Sequence, residues 1–61
     1  MRWRDTGASD PHVERGRRFA WFEREGAGYE VGLVIDNTRV RRSHHRTRYG
    51  AQMACERLVQ E

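Results

Sequence analysis

The sequence predicts an α+β fold: a three-stranded antiparallel β-meander with one C-terminal α-helix packed on one face (β-β-β-α). Three observations predict it. From Arg17 the pattern changes to period two, most cleanly over residues 29–35, and the stretch to Ser43 is punctuated by Glu25-Gly26-Ala27-Gly28 and by Asp36-Asn37. From Thr47 onward the chain is free of proline, and apolar residues recur at intervals of three and four. The whole chain has 61 residues, which leaves room for one small domain.

Residues 1–16 (MRWRDTGASDPHVERG) hold two glycines, the single proline and no sustained periodicity. They read as a flexible arm preceding a domain at 17–61. Asp10-Pro11 has the chemistry of a cap followed by proline at a first helical position, so one turn through Glu14 is expected to end at Gly16. The alternative for the arm is that Trp3 folds back over an open edge of the core.

Residues 17–23 (RRFAWFE) are rich in aromatic side chains and suit a first strand. The glycines at 26 and 28 supply a hairpin loop. Residues 29–35 (YEVGLVI) form the cleanest element, with Tyr29, Val31, Leu33 and Ile35 on one face. Asp36 and Asn37 tolerate left-handed φ and turn the chain into a third strand at 39–43, RVRRS. Thr47 is a good N-cap, and Ala51, Ala54, Cys55 and Leu58, flanked by Val59, form one stripe of the helix that follows. The predicted core sets that stripe against Tyr29, Val31, Leu33 and Ile35, joined by Phe19 and Trp21. Ala20, Phe22 and Val34 then fall on the bare face of the sheet.

Composition excludes several classes of function. No apolar run approaches the ~18–20 residues that span a bilayer, and no apolar stretch follows Arg2 and Arg4 as in a secretory signal. The one cysteine, Cys55, cannot form an intramolecular disulfide, which makes the cytoplasm the expected compartment. No nucleophile stands with a base, no carboxylates pair in a pocket and no cofactor motif is present, so neither an enzyme nor a small-molecule substrate is expected. His12, His44, His45 and Cys55 lack metal-ligand spacing, and no metal site is expected.

Charge points to a partner instead. All twelve basic residues are arginine and the net charge is +3. Residues 31–48 contain Arg39, Arg41, Arg42, Arg46 and Arg48 against Asp36 alone, so the excess is concentrated between the middle strand and the helix. With Val40 toward the helix, Arg39 and Arg41 point outward beside Phe22, Arg18 and Arg24. Arg46 and Arg48 flank a helix N-terminus, whose free N–H groups attract phosphate. This arrangement predicts a nucleic-acid surface comprising Arg18, Phe22, Arg39, Arg41, Arg42, Arg46 and Arg48. A rival surface is either Tyr49 and Met53, four residues apart on the helix face opposite the core stripe, or the Phe22 face with Trp3; it would serve a homodimer or a host protein.

The order of three strands then a helix, with Arg46-Thr47-Arg48 leading into Ala51, resembles the N-terminal DNA-binding modules of phage-type tyrosine recombinases, which are related to the plant AP2 domain. That resemblance spans about residues 17–60. It implies that the exposed sheet face enters a DNA major groove and that Arg39, Arg41 and the outer face of the first strand make the contacts. His45 stands where that family carries an apolar aromatic, and Gly50 where it carries an acid. The short, lysine-free frame also resembles accessory proteins of phages from GC-rich hosts. The expected function is DNA binding, in preference to RNA, by a small phage-related accessory protein in the host cytoplasm.

Overall fold

A computed structural model describes residues 2–4 and 11–61, the side chains of Arg2 and Arg41 excepted. Strands β1 (Arg2–Arg4), β2 (His12–Arg15), β3 (Arg18–Glu25), β4 (Gly28–Ile35) and β5 (Thr38–His45) precede one helix, α1 (Arg48–Gln60). The strands form a single antiparallel sheet in the order β1-β2-β3-β4-β5, an uninterrupted meander. The α+β class and the C-terminal helix are as the sequence predicts. Among the described residues the sheet has five strands, where three were expected. No helix among the described residues is long and apolar enough to cross a membrane.

Three two-residue turns set the register: Gly16-Arg17, Gly26-Ala27 and Asp36-Asn37. Gly16 and Gly26 have φ of +61° and +59°, the left-handed value that a hairpin turn with glycine at its first central position requires. Asp36 (φ 51°) and Asn37 (φ 65°) are both left-handed, the pattern of a type I′ hairpin.

An even-numbered turn determines which residues share a face. With Glu25 opposite Gly28, Phe22 falls opposite Val31 and Ala20 opposite Leu33. Residues directly opposite one another lie on the same side of a sheet, so Ala20 and Phe22 join the core. The expected placement of β3 is therefore inverted: Phe19 and Trp21 lie on the bare face and Phe22 is only 3% exposed. The core comprises Val13, Ala20, Phe22, Val31 and Leu33 from the sheet, with Ala51, Cys55, Leu58 and Val59 from the helix. Trp3, Tyr29, Ile35 and Ala54 pack around it.

The N-terminal segment also departs from expectation. Residues 12–15 form a strand, with Val13 fully buried and paired to Ala20, and no helical turn. Residues 2–4 pair with β2, so these parts of the expected flexible arm extend the sheet. Asp10 and the rest of 5–10 lie outside the described residues. Trp3 does fold back over the core: its ring meets Phe22 edge-on at 5.7 Å, and its indole N–H donates to Glu56 across 2.5 Å.

A bulge falls between Leu33 and Val34, because Leu33 pairs with Arg41 while Val34 pairs with Arg39. Val40 is the extra residue and is 53% exposed, so it does not face the helix as expected. Helix α1 starts where the sequence places it, with the Thr47 hydroxyl accepting from the Gly50 N–H at 3.0 Å. Its small side chains at 51 and 55 are both fully buried against the sheet.

A domain of this size is stable by only about 3–9 kcal/mol. Phe22→Ala is expected to remove about 3–5 kcal/mol and leave much of the protein unfolded, as measured by urea denaturation. Thr47→Ala should remove about 1 kcal/mol, and Val40→Thr, in the exposed bulge, less than about 0.5 kcal/mol.

Candidate nucleic-acid interface

The sheet face turned away from α1 is organised in rows by the register. One row runs Arg4, His12, Trp21, Gly32 and Arg42 across the five strands. Beside it lie Glu14, Phe19, Val34 and Arg39, and on the other side Glu23, Glu30 and His44. Alternation along each strand places these residues together whatever their chemistry.

Trp21 is the centre of this surface. Its indole lies flat over Gly32, where an added Cβ would fall 2.2 Å from the ring. Only glycine allows that approach, and the ring in turn covers backbone that glycine leaves open. The Arg39 guanidinium carbon sits 4.8 Å from the centre of the Trp21 ring, a cation–π contact at solvent-accessible range. Phe19 stands 6.3 Å from Trp21 and is itself stacked on His12, with centroids 4.7 Å apart and planes 22° off parallel. His12, Phe19 and Trp21, half-buried, and the exposed Arg39 thus form one continuous flat-sided patch.

The other end of the same face is acidic. Glu23, Glu25 and Glu30 bring carboxylate oxygens within 4.8 Å of one another. The Glu25 carboxyl is raised above its ordinary value, first by a hydrogen bond to Glu30 and then by that group's charge. Glu30 is lowered by the same hydrogen bond, and the Arg42 guanidinium lowers it further. Arg42 is ion-paired with Glu30. Three oxygen donors of this kind are able to hold a hard divalent cation.

The expected arginine surface is therefore divided. Arg39 and Arg42 reach the bare face, Arg39 on an indole and Arg42 on a carboxylate. Arg41 pairs through its backbone with Leu33, and its side chain lies outside the described residues. Arg18 is on the helix side and donates to the Leu58 carbonyl at 3.1 Å, a cation at the negative end of α1. Arg48 lies over the Phe22 ring at 5.6 Å, also on the helix side. Arg46 is exposed in the link before α1. Phe22 is core and contributes nothing to a surface, and Trp3 is occupied by Phe22 and Glu56. Tyr49 and Met53 are exposed as expected, at 72% and 41%.

His12, Phe19 and Trp21 are the members of the patch that the reading of the sequence missed, whereas Val34 lies on the bare face as expected. The signal was present in the even count of residues between Phe22 and Val31, which fixes the pair on one face. His44 and His45 do point to opposite sides of β5: His44 lies over Gly28, and His45 Nε2 is 2.9 Å from the Ser43 hydroxyl on the helix side.

Compared with models of known protein families, with curated proteins and with solved structures, the chain matches none.

Burial, and then the charge of Glu56, push the Cys55 thiol from an ordinary 9.0 up to about 12. The folded protein keeps this proton where the unfolded chain releases it, so the contribution to stability is complete below pH 9.0 and is lost as pH rises toward about 12. Urea midpoints measured across that window should fall, and Cys55→Ala should remove this part of the decline while lowering stability at every pH. A disulfide-exchange reagent at pH 8 should leave the native thiol unmodified and label it in urea.

Proposed function

We propose that this protein binds DNA through the Arg39 end of its helix-free sheet face. The observation that carries the reading is the Arg39 guanidinium 4.8 Å over the Trp21 indole, beside the Phe19–His12 stack, on a face that no element among the described residues covers. Guanidinium groups bind phosphate bidentately, and flat rings offer stacking or apolar contact to bases and sugars. Arg4 and Arg39 occupy adjoining rows of the face, and Arg46 adds a cation just beyond β5. The Glu23–Glu25–Glu30 cluster repels phosphate, so the footprint excludes that end.

DNA is favoured over duplex RNA by groove shape. The major groove of B-form DNA, about 12 Å wide, admits strands, whereas that of A-form RNA is deep and narrow. The resemblance to AP2-like modules, in which the same face of a sheet backed by a helix enters the major groove, supports this assignment. On this reading the protein is a small DNA-binding accessory protein rather than an enzyme.

The exposure of Tyr49 and Met53 supports a second reading, in which α1 carries a protein partner or a second copy. Under that reading the protein sediments as a dimer that Met53→Asp dissociates, or it binds a protein partner. An unchanged monomer that binds no protein contradicts it.

Fluorescence anisotropy with a labelled DNA duplex at low salt tests the first reading. With about three phosphates neutralised, raising salt from about 50 to about 200 mM should weaken binding about 40-fold. Arg39→Gln should weaken it about tenfold, while Met53→Ser leaves it unchanged. No binding at low salt, or equal binding by Arg39→Gln, overturns the reading.

A further inference from the structure

Strand β5 ends the sheet, so one side of its backbone meets no other strand of the described chain. A two-residue turn makes its flanking residues a hydrogen-bonded pair, here Glu25 with Gly28, and such pairs recur at every second residue. Even-numbered residues of β3 therefore direct their amides toward β2, as the Phe22 N–H does by donating across to the Pro11 carbonyl at 3.2 Å. Carried across β4, the same alternation turns the backbone groups of Arg41, Ser43 and His45 toward β4. It leaves the N–H and C=O groups of Arg42 and His44 pointing away from the sheet.

Among the described residues this edge is open on both sides of the sheet. On the helix side a groove of about 310 Å³ separates β5 from α1, with Ser43 and His45 on one wall and Ala54 and Leu58 on the other. On the bare face no described element lies over Arg42 or His44. Arg42 is ion-paired with Glu30 of its own chain, so it brings no unbalanced charge to the edge and offers no anchor for an acidic guest.

We propose that this edge pairs with a second copy of the chain, antiparallel and centred on Ser43, so that the two sheets become one across a two-fold axis. The bulge at Val40 leaves residues 41–45 as the regular end of β5, and the midpoint of that stretch is Ser43. With the axis there, Arg42 of each copy lies opposite His44 of the other and exchanges both backbone hydrogen bonds with it, which satisfies the outward groups. Ser43 meets Ser43 of the second copy in the closer, non-hydrogen-bonded type of pair, where small hydroxyl side chains fit and bond to each other. By register Arg41 falls opposite His45, and no arginine of this stretch opposes another. An axis at Arg42 would set that residue against its own copy, and an axis at His44 would set Arg42 against Arg46, both destabilising. The edge is thus complementary to itself in one register, and that selects a second copy over an unrelated strand. The inference uses neither the Trp21–Arg39 patch of the DNA reading nor the Tyr49 and Met53 surface.

Sedimentation equilibrium of the whole chain tests it, and should show a monomer–dimer equilibrium with Kd below about 1 mM. His44→Pro removes an outward N–H from each copy without breaking the β4–β5 ladder, and should weaken the dimer at least about tenfold. Met53→Asp should leave it unchanged. Ser43→Asp and Ser43→Arg, each alone, set like charges against each other across the axis and should weaken the dimer about fivefold. An equimolar mixture of these two variants should dimerise at least as well as the unsubstituted chain, which also shows that both fold. A monomer at about 1 mM, a dimer indifferent to His44→Pro, a dimer dissociated by Met53→Asp, or a mixture no better than its components overturns the proposal.

Discussion

Every surface of this molecule depends on the parity of its hairpin turns. Three links of two residues each force directly opposed partners onto a common face, and a slip of one residue would exchange the core for the surface along an entire strand. The left-handed backbone at Gly16, Gly26, Asp36 and Asn37 holds those links at two residues. From this follow the burial of Phe22, the outward position of Trp21 and the separation of the arginines between two sides of the sheet.

The core that results is thin, and the N-terminal strands complete it. Without β1 and β2, Phe22 would lose its edge contact with Trp3, and Ala20 would lose its neighbour Val13. The helix contributes mainly small groups, Ala51 and Cys55, which bring it close to the sheet and leave Leu58 and Val59 to supply volume. A hydrogen bond from the Trp3 indole to Glu56 ties the first strand to the last element.

Strands β3 to β5 and the helix were legible in the sequence because their periodicity and turn chemistry agree. Thr47 caps the helix and Asp36-Asn37 adopts left-handed φ as their side chains dictate. The first two strands were not legible: residues 12–15 contain a single buried residue, Val13, and Trp3 stands alone between arginines. Phe19 and Trp21 misled for a different reason. Bulk suggests burial, but Trp21 gains its cover from Gly32 beneath it and Arg39 above it, both contributed by other strands. Val40 misled because a bulge changes the register partway along β5, and no residue type announces it.

The bare face carries both signs of charge, which narrows its function. Its acidic end retains Arg42 internally, while its aromatic end presents Arg39 on a ring rather than on a carboxylate. Such a cation keeps its hydrogen-bonding capacity for a phosphate, because an indole face satisfies its charge but few of its donors.

The two tryptophans lie on opposite sides of the sheet and report on the two sides independently. Following both indole N–H resonances while a DNA duplex is added at low salt tests the central claim most directly. The Trp21 signal should move in proportion to occupancy while the Trp3 signal, held by Glu56 on the helix side, stays in place. Movement of Trp3 alone, or of neither, would contradict the assignment of the helix-free face as the binding surface.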